Sequence, residues 1–368
     1  MSPATTCCGC SGNEKKREYT MKQTRQITVG GVKIGGGAPV VIQSMTNTDT
    51  RDAGATLAQI RALADAGCQI ARCAVPDMEA AHALGAICEG SPIPVVADIH
   101  FDYKLALEAI AAGVHKVRIN PGNIGSDDRV KAVVQAARAK NIPIRIGVNS
   151  GSVEKDILAK YGGPTPEALV ASALYHASLL EKFDFTDICL SMKSSSVPYT
   201  MQAYMLAHEK TDYPLHLGVT EAGTEYMGTV KSAAGIGGLL ALGIGDTIRV
   251  SLTDDPVKEI YAAQAILKAV GLNDDGVNVV SCPTCGRTRI DLIGIAKEVE
   301  QRVAGIRGKK LKVAVMGCAV NGPGEAREAD LGIAGGDGVG LIFRKGEILR
   351  KVPQDKLVDE LMIEINNY

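Results

Sequence analysis

Neither charge sign is in excess in this sequence: 40 Lys and Arg stand against 41 Asp and Glu, a formal net charge of −1. A generic nucleic-acid binder carries an overall basic surplus, so that class is set aside. An anionic small substrate is not excluded, because a local cluster of Arg and Lys hides easily inside a neutral total. Long hydrophobic runs are missing as well. The longest apolar, glycine-rich stretch, Ala233 to Gly245, falls short of the roughly 20 residues that a membrane-spanning helix needs. The N-terminal segment MSPATTCCGCSGNEKKREYT has no apolar stretch and so does not read as a secretory signal. The expectation is a cytoplasmic protein with no membrane and no nucleic-acid partner.

What the chain does hold is ten cysteines in 368 residues, a length that allows two domains with their own cores. In a reducing compartment such cysteines are buried packing, metal ligands or catalytic groups rather than disulfides. Cys68, Cys73, Cys88 and Cys189 sit in apolar runs and read as packing. Cys7, Cys8 and Cys10 lie in a tail, residues 1–24, that shows no periodicity and is expected to be disordered; a start at Met21 is the simpler reading of it. Cys282, Cys285 and Cys318 stand in Gly- and Pro-rich turns.

Residues 25–272 repeat one pattern: a short β-branched strand ending in polar residues, a helical stretch, then Gly or Pro. The candidate strands are Val40–Met45, Ile70–Val75, Val95–His100, Lys116–Pro121, Ile144–Asn149, Asp187–Met192, Leu215–Thr220 and Thr247–Leu252. Strands alternating with helices of this length pair in parallel through right-handed crossovers. Eight such units match the α/β class in its (β/α)8 TIM-type barrel form. A doubly wound open sheet is the rival, but no Gly-rich nucleotide fingerprint follows the first strand. After an eighth helix, Pro256–Val270, the polar linker GLNDDGVN leads into a second, small α/β domain, residues 277–368. It reads strand, cysteine turn, helix, strand, second cysteine turn, two strands and a closing helix.

The cysteine pattern is Cys282-Pro-Thr-Cys285-Gly-Arg, then Gly317-Cys318-Ala-Val-Asn321-Gly-Pro-Gly-Glu325. A CxxC alone fits zinc, a redox dithiol or an iron–sulfur cluster. Structural zinc prefers four closed ligands, and a third Cys without a nearby His leaves that set incomplete. Three thiolates on a 4Fe-4S cluster leave one iron for a different ligand. Glu325 is a candidate for that position, since carboxylate is a harder, more exchangeable ligand. Spacing alone leaves open whether it is a ligand or a solvated turn residue.

In βα barrels the active site is built from the C-terminal strand ends. Those ends are cationic here: Arg72, Arg118, Arg145, Lys193 and Arg249, with His100, Asn149, Thr220 and Ser251 beside them. Like charges in one concave rim repel unless an anion is present, and Arg offers phosphate a bidentate fork. A di-anionic or phosphorylated substrate is therefore expected. Asp98 and Glu221 add negative charge as counter-ions or proton donors. His82, His115, His176, His208 and His216 read as surface or packing residues. A pterin-binding barrel methyltransferase would use a similar rim without needing the cysteines. A zinc-stabilised binding module would explain the cysteines and leave the rim without a role.

CPTCGR with GCAVNGPGEA resembles the cluster signature of the 4-hydroxy-3-methylbut-2-enyl diphosphate synthases, a family late in the non-mevalonate isoprenoid pathway. VIQSMTNTDTRD, ADIHFD, VRINPGN, IRIGVNSGS, LSMKSS, GVTEAG and TIRVSLTDDP are similar to that family's barrel segments. The likeness runs from about Arg25 to the C-terminus, and the N-terminal tail is the one departure. The resemblance implies reductive opening of a cyclic diphosphate of methylerythritol by a 4Fe-4S cluster on Cys282, Cys285, Cys318 and Glu325. It also implies substrate contacts from Arg72, His100, Arg118, Arg145, Asn149, Lys193, Arg249 and Ser251. Asp98, Thr220 and Asn321 are counted in the same set. Glu221 is expected to act as an acid, its pKa raised by burial and by substrate charge. Electrons are expected from flavodoxin or ferredoxin. A helix of about 15 residues covers roughly 22 Å, so the last barrel helix should carry the chain to the face opposite the mouth. The cluster domain would then more easily cap another chain's barrel, in a head-to-tail homodimer.

Overall fold

Short β-branched strands alternating with helices build the parallel sheet that the spacing predicts. The computed structural model describes residues 22–318 and 328–368, and contacts divide them into two units between Ile266 and Leu267. The first unit opens with a hairpin, β1 (Ile27–Val29) and β2 (Val32–Ile34). The barrel strands follow as β3 (Val41–Met45), β4 (Ile70–Ala74), β5 (Val95–Asp98), β6 (Lys116–Ile119) and β7 (Ile144–Asn149). They continue with β8 (Ile188–Lys193), β9 (His216–Leu217) and β10 (Thr247–Ile248). Their lateral order is β8-β7-β6-β5-β4-β3-β10-β9. A parallel bridge between Leu190 and Leu215 sets β8 beside β9, so the two edges meet. That contact excludes the open doubly wound sheet.

Five of the eight strands stop short of their expected polar ends, most of all β9 and β10 with only two residues each, while β8 runs one residue further, to Lys193. The residues beyond them leave the ladder and become the mouth of the barrel. Helix starts on the same side are fixed by side-chain caps. Asp52, Asp77, Asp102, Thr165 and Ser196 each accept a backbone N–H of the first turn, satisfying donors that a helix leaves open.

The hairpin was not foreseen from the sequence. Its two runs are only three residues long, and Gly30 and Gly31 turn between them at φ +52° and +89°, the backbone region that favours glycine. The hairpin buries Ile27, Val29 and Ile34 against Val41, Ile70, Val96 and Cys189, residues at the beginnings of four barrel strands. It therefore plugs the N-terminal end of the barrel and leaves the other end open. Cys68, Cys73 and Cys189 are buried, with their thiols pushed up to about 11, first by burial.

In the second unit β11 (Gly276–Ser281), β12 (Lys310–Met316) and β13 (Leu331–Gly335) are parallel. Then β14 (Val339–Arg344) and β15 (Glu347–Pro353) add antiparallel. Helices Leu292–Val303 and Leu357–Asn367 cover one face with Leu292, Ile295, Val299, Val303, Leu357, Leu361 and Ile365. β15 is an edge strand that the sequence did not announce, because its residues are mostly exposed and carry no apolar alternation. Among the described residues no helix is long and apolar enough to cross a membrane.

Ile34→Ala should cost about 2–5 kcal/mol, the range for truncating a fully buried aliphatic side chain. Urea unfolding of the barrel followed by circular dichroism measures this. A midpoint equal to wild type would mean the hairpin is not part of the barrel core.

Candidate functional site

Side chains at alternate positions of a barrel strand point inward, and the strand register brings the cations of neighbouring strands together. Arg72 faces Met45 across β4–β3, Asp98 faces Arg118 across β5–β6, Arg118 faces Arg145 across β6–β7, and Asn149 faces Lys193 across β7–β8. Arg249 and Ser251 follow β10, and Thr220 and Glu221 follow β9. All eleven of these barrel-mouth residues expected from the sequence (Arg72, Asp98, His100, Arg118, Arg145, Asn149, Lys193, Thr220, Glu221, Arg249 and Ser251) line one cavity of about 320 Å3, together with Gly147 and Ser191.

Two carboxylates organise the cations. Asp98, 3% exposed, accepts from Arg118 Nη1 at 3.0 Å and lies 3.6 Å from Arg72 Nε and 3.9 Å from His100 Nε2. Burial works to raise its carboxyl, but Arg72, Arg118, Arg145 and His100 outweigh that and hold it well below the usual carboxylate range. Arg118 is further fixed by the Gly147 carbonyl at 3.0 Å. A Cβ at Gly147 would fall 2.3 Å from Arg118 Nε, and one at Gly218 would fall 2.5 Å from Lys193 Nζ. Glycine on the inner wall is what makes room for the cations. Glu259 is the second organiser. It pairs with Arg249 through both oxygens, at 3.2 and 3.3 Å, and accepts from Ser44 Oγ and Leu252 N–H.

Arg145 and Lys193 are different. Among the described residues neither forms an ion pair, and Arg145 Nε and Nη1 are buried without a hydrogen-bond partner. Burial, and then Arg72, Arg145, Arg249 and Arg118, push Lys193 well below its ordinary value. A field of this sign, with guanidinium and ammonium groups converging on one hollow, favours an anion with several oxygens.

Glu221 lines the same cavity but is exposed, so burial does not act on it as expected. Its backbone is left-handed at φ +52°, an unusual conformation for a residue with a Cβ, and strain of this kind clusters at functional sites. His82 is exposed, whereas His115 accepts the Val95 N–H and His176 and His216 are fully buried.

Sequence reasoning missed Glu259 and Lys116. Glu259 sits on the buried face of helix Pro256–Ala269 beside Ile260 and Ala263, and an acid in an apolar helix stripe was the available signal. Lys116 lies two residues before Arg118 on the same inward face of β6. It is fully buried, its Nζ has no hydrogen-bond partner among the described residues, and burial, with Arg145 and Arg72 nearby, lowers it to about 7.

The cysteine turns follow two adjacent parallel strands, β11 and β12. Ser281 is in register with Val315, which sets Cys282 and Cys318 at neighbouring strand ends. Cys282 Sγ accepts the Gly317 N–H at 3.2 Å, the Cys282 N–H reaches the Val315 carbonyl, and the Arg289 N–H reaches the Gly317 carbonyl. Cys285 is exposed, and backbone and side-chain hydrogen bonds from Arg287 lower its thiol. The lowered thiol of Cys285 favours thiolate, the form that binds metal. Asn321 and Glu325 lie outside the described residues.

Residues 24–264 match the model of the GcpE TIM-barrel domain, and residues 278–367 that of the GcpE protein C-terminal domain. A curated relative from Geobacter sulfurreducens, 4-hydroxy-3-methylbut-2-en-1-yl diphosphate synthase (flavodoxin), is 62% identical over 93% of this chain and 97% of its own. The protein of the same name from Clostridium perfringens is 63% identical over 93% of this chain and 97% of its own.

Lys116 gives a pH test. Its folded pKa lies below the unfolded value of about 10.4, so the folded state binds fewer protons between those values and stability rises with pH across that window. Lys116→Met removes the cost of burying a charged ammonium, so it should stabilise the barrel below about pH 7. The gain should be a few kcal/mol, since each tenfold displacement of a proton equilibrium is worth roughly 1.4 kcal/mol, and it should vanish above about pH 10.4. Urea unfolding at pH 7 and at alkaline pH measures it; a gain that does not shrink with pH would refute the assignment.

Proposed function

The chain belongs to the GcpE family and is the enzyme of the non-mevalonate isoprenoid route that makes 4-hydroxy-3-methylbut-2-enyl diphosphate; from that premise we propose how its two units divide the reaction. The substrate, 2-C-methyl-D-erythritol 2,4-cyclodiphosphate, accepts two electrons. The ring C–O bond to the diphosphate breaks, and a hydroxyl leaves as water after taking a proton.

The barrel mouth binds the diphosphate. The observation that carries this reading is the pair Arg145 and Lys193, basic groups lining one cavity with no ion pair of their own among the described residues, Arg145 with two guanidinium nitrogens buried and unpartnered. Arg118 and Arg72, held by Asp98, and Arg249, held by Glu259, present their remaining N–H groups to the same anion. Asn149, His100, Thr220 and Ser251 supply neutral or switchable partners, and Asn321 is assigned to the same set. Glu221, exposed in the cavity wall, is assigned the delivery of the proton to the leaving hydroxyl. Binding the diphosphate at many points fixes the reacting carbons relative to that acid.

We assign Cys282, Cys285 and Cys318 as the residues that would hold a 4Fe-4S cluster. The sulfur of the first accepts a backbone N–H, the second has a lowered thiol, and the first and third end adjacent strands. Glu325 is assigned as the fourth, exchangeable ligand. The cluster supplies one-electron reduction. The names of the relatives make flavodoxin the leading candidate for the electron donor, with ferredoxin as the alternative. The chain leaves the barrel at the end of helix Pro256–Ala269, which runs antiparallel to the strands and so away from the mouth. This supports a head-to-tail homodimer in which each cysteine unit serves the partner's barrel.

Turnover of the cyclic diphosphate with a chemical reductant tests the whole reading. Anaerobically purified protein should be brown and should bleach on reduction; a colourless protein with one zinc and no sulfide would end the cluster assignment. Arg145→Ala and Cys318→Ser should each abolish turnover, and mixing the two chains should restore part of it. No recovery in verified heterodimers would sink the shared site. Glu325→Ala should retain cluster colour while losing turnover; unchanged turnover would leave it a turn residue.

A further inference from the structure

His176 has no part in the chemistry above, and its sequence setting reads only as packing. It lies on helix Pro166–Glu181 at 0% exposure, on the buried face with Leu169, Ala173 and Leu180. Its ring bonds are not those of a packing residue, because both leave its own helix. Nδ1 accepts the Gly122 N–H at 3.0 Å, and Nε2 stands 2.5 Å from Glu154 Oε1. An accepting Nδ1 places the proton of a neutral imidazole on Nε2, so the ring donates to the carboxylate.

The two partners belong to different mouth segments. Gly122 comes four residues after Arg118, in the segment that follows β6. Glu154 comes five residues after Asn149, in the segment that follows β7, and stands just before helix Lys155–Tyr161 without a side-chain capping bond. The approach is close: a Cβ at Gly122 would fall 2.4 Å from His176 Cε1. Removing the ring would leave a backbone donor and a carboxylate without their partner, and Glu154 Oε2 is already buried without one. Each segment would lose one of the bonds that hold it beside the strands carrying Arg118, Arg145 and Asn149.

We propose that His176 is a positioning residue: it ties the loop after β6 to the loop after β7 and so sets the spacing of the cations on that side of the diphosphate site. The inference rests on the diphosphate reading of the cavity, and two separate measurements keep the two apart. Hydrogen exchange on the full chain reads the tie, and calorimetric titration with inorganic pyrophosphate reads the site.

In His176→Leu, exchange in segments 119–125 and 149–155 should rise at least about tenfold as local opening becomes easier. Pyrophosphate affinity should fall by about tenfold through misplacement of the cations. His176→Asn, whose amide oxygen can take the place of Nδ1, should recover part of the affinity. A folded His176→Leu chain with wild-type exchange and affinity overturns the tie. If that variant does not fold, Glu154→Ala takes its place: it keeps the ring and its bond to Gly122 and removes only the acceptor. Exchange should then rise in 149–155 and not in 119–125, with pyrophosphate affinity lowered, and wild-type exchange in 149–155 overturns the tie. Wild-type protein that fails to bind pyrophosphate overturns the diphosphate reading, while the exchange data still decide the tie.

Discussion

Repulsion among five cations in one hollow is the constraint around which this barrel is arranged. Arg72, Arg118, Arg145, Lys193 and Arg249 converge within a cavity of about 320 Å3, and folding has to hold them there before any anion arrives. Asp98 offsets part of the cost by engaging Arg72, Arg118 and His100 at once, and Glu259 does the same for Arg249. Carboxylates buried against several guanidinium groups are stable only with this geometry. Arg145 and Lys193 form no ion pair among the described residues, Asp98 acting on Arg145 only at longer range, so the hollow keeps a surplus of basic groups.

The remainder of the first unit serves that arrangement. Glycine at 147 and 218 thins the inner wall where Arg118 and Lys193 pass. The hairpin closes the far end with aliphatic side chains, so only one end of the barrel is open to solvent. The second unit solves another problem with other chemistry. It sets Cys282 and Cys318 just beyond the ends of adjacent parallel strands, while Cys285 follows on the first turn.

Much of this was legible in the sequence. Eight strand–helix repeats gave the barrel, and cations on five of its strands gave the mouth, although Arg145 stands at the start of β7 and not at its polar end. The hairpin at Ile27–Ile34 was not legible, since three-residue runs around two glycines carry too little pattern. Nor was β15, whose exposed edge lacks an apolar face. Glu221 was expected to be buried and is exposed, because strand-end position says nothing about how far a side chain projects into solvent. Glu259 escaped notice, and His176 read only as surface or packing, for the opposite reason: a polar residue in an apolar helix stripe looks like an exception until its partners from distant segments are seen.

The sequence by itself determined the periodicity, the family and the kinds of ligand atoms, for these depend on residue type and local spacing. Only the tertiary structure decided which cations are paired and which are free, because Arg118 meets Asp98 from twenty residues away and Arg249 meets Glu259 across the start of a helix. Electrostatics in a buried site is set by distance in space, falling off over a few ångströms in a medium that screens poorly, and sequence separation carries no measure of it.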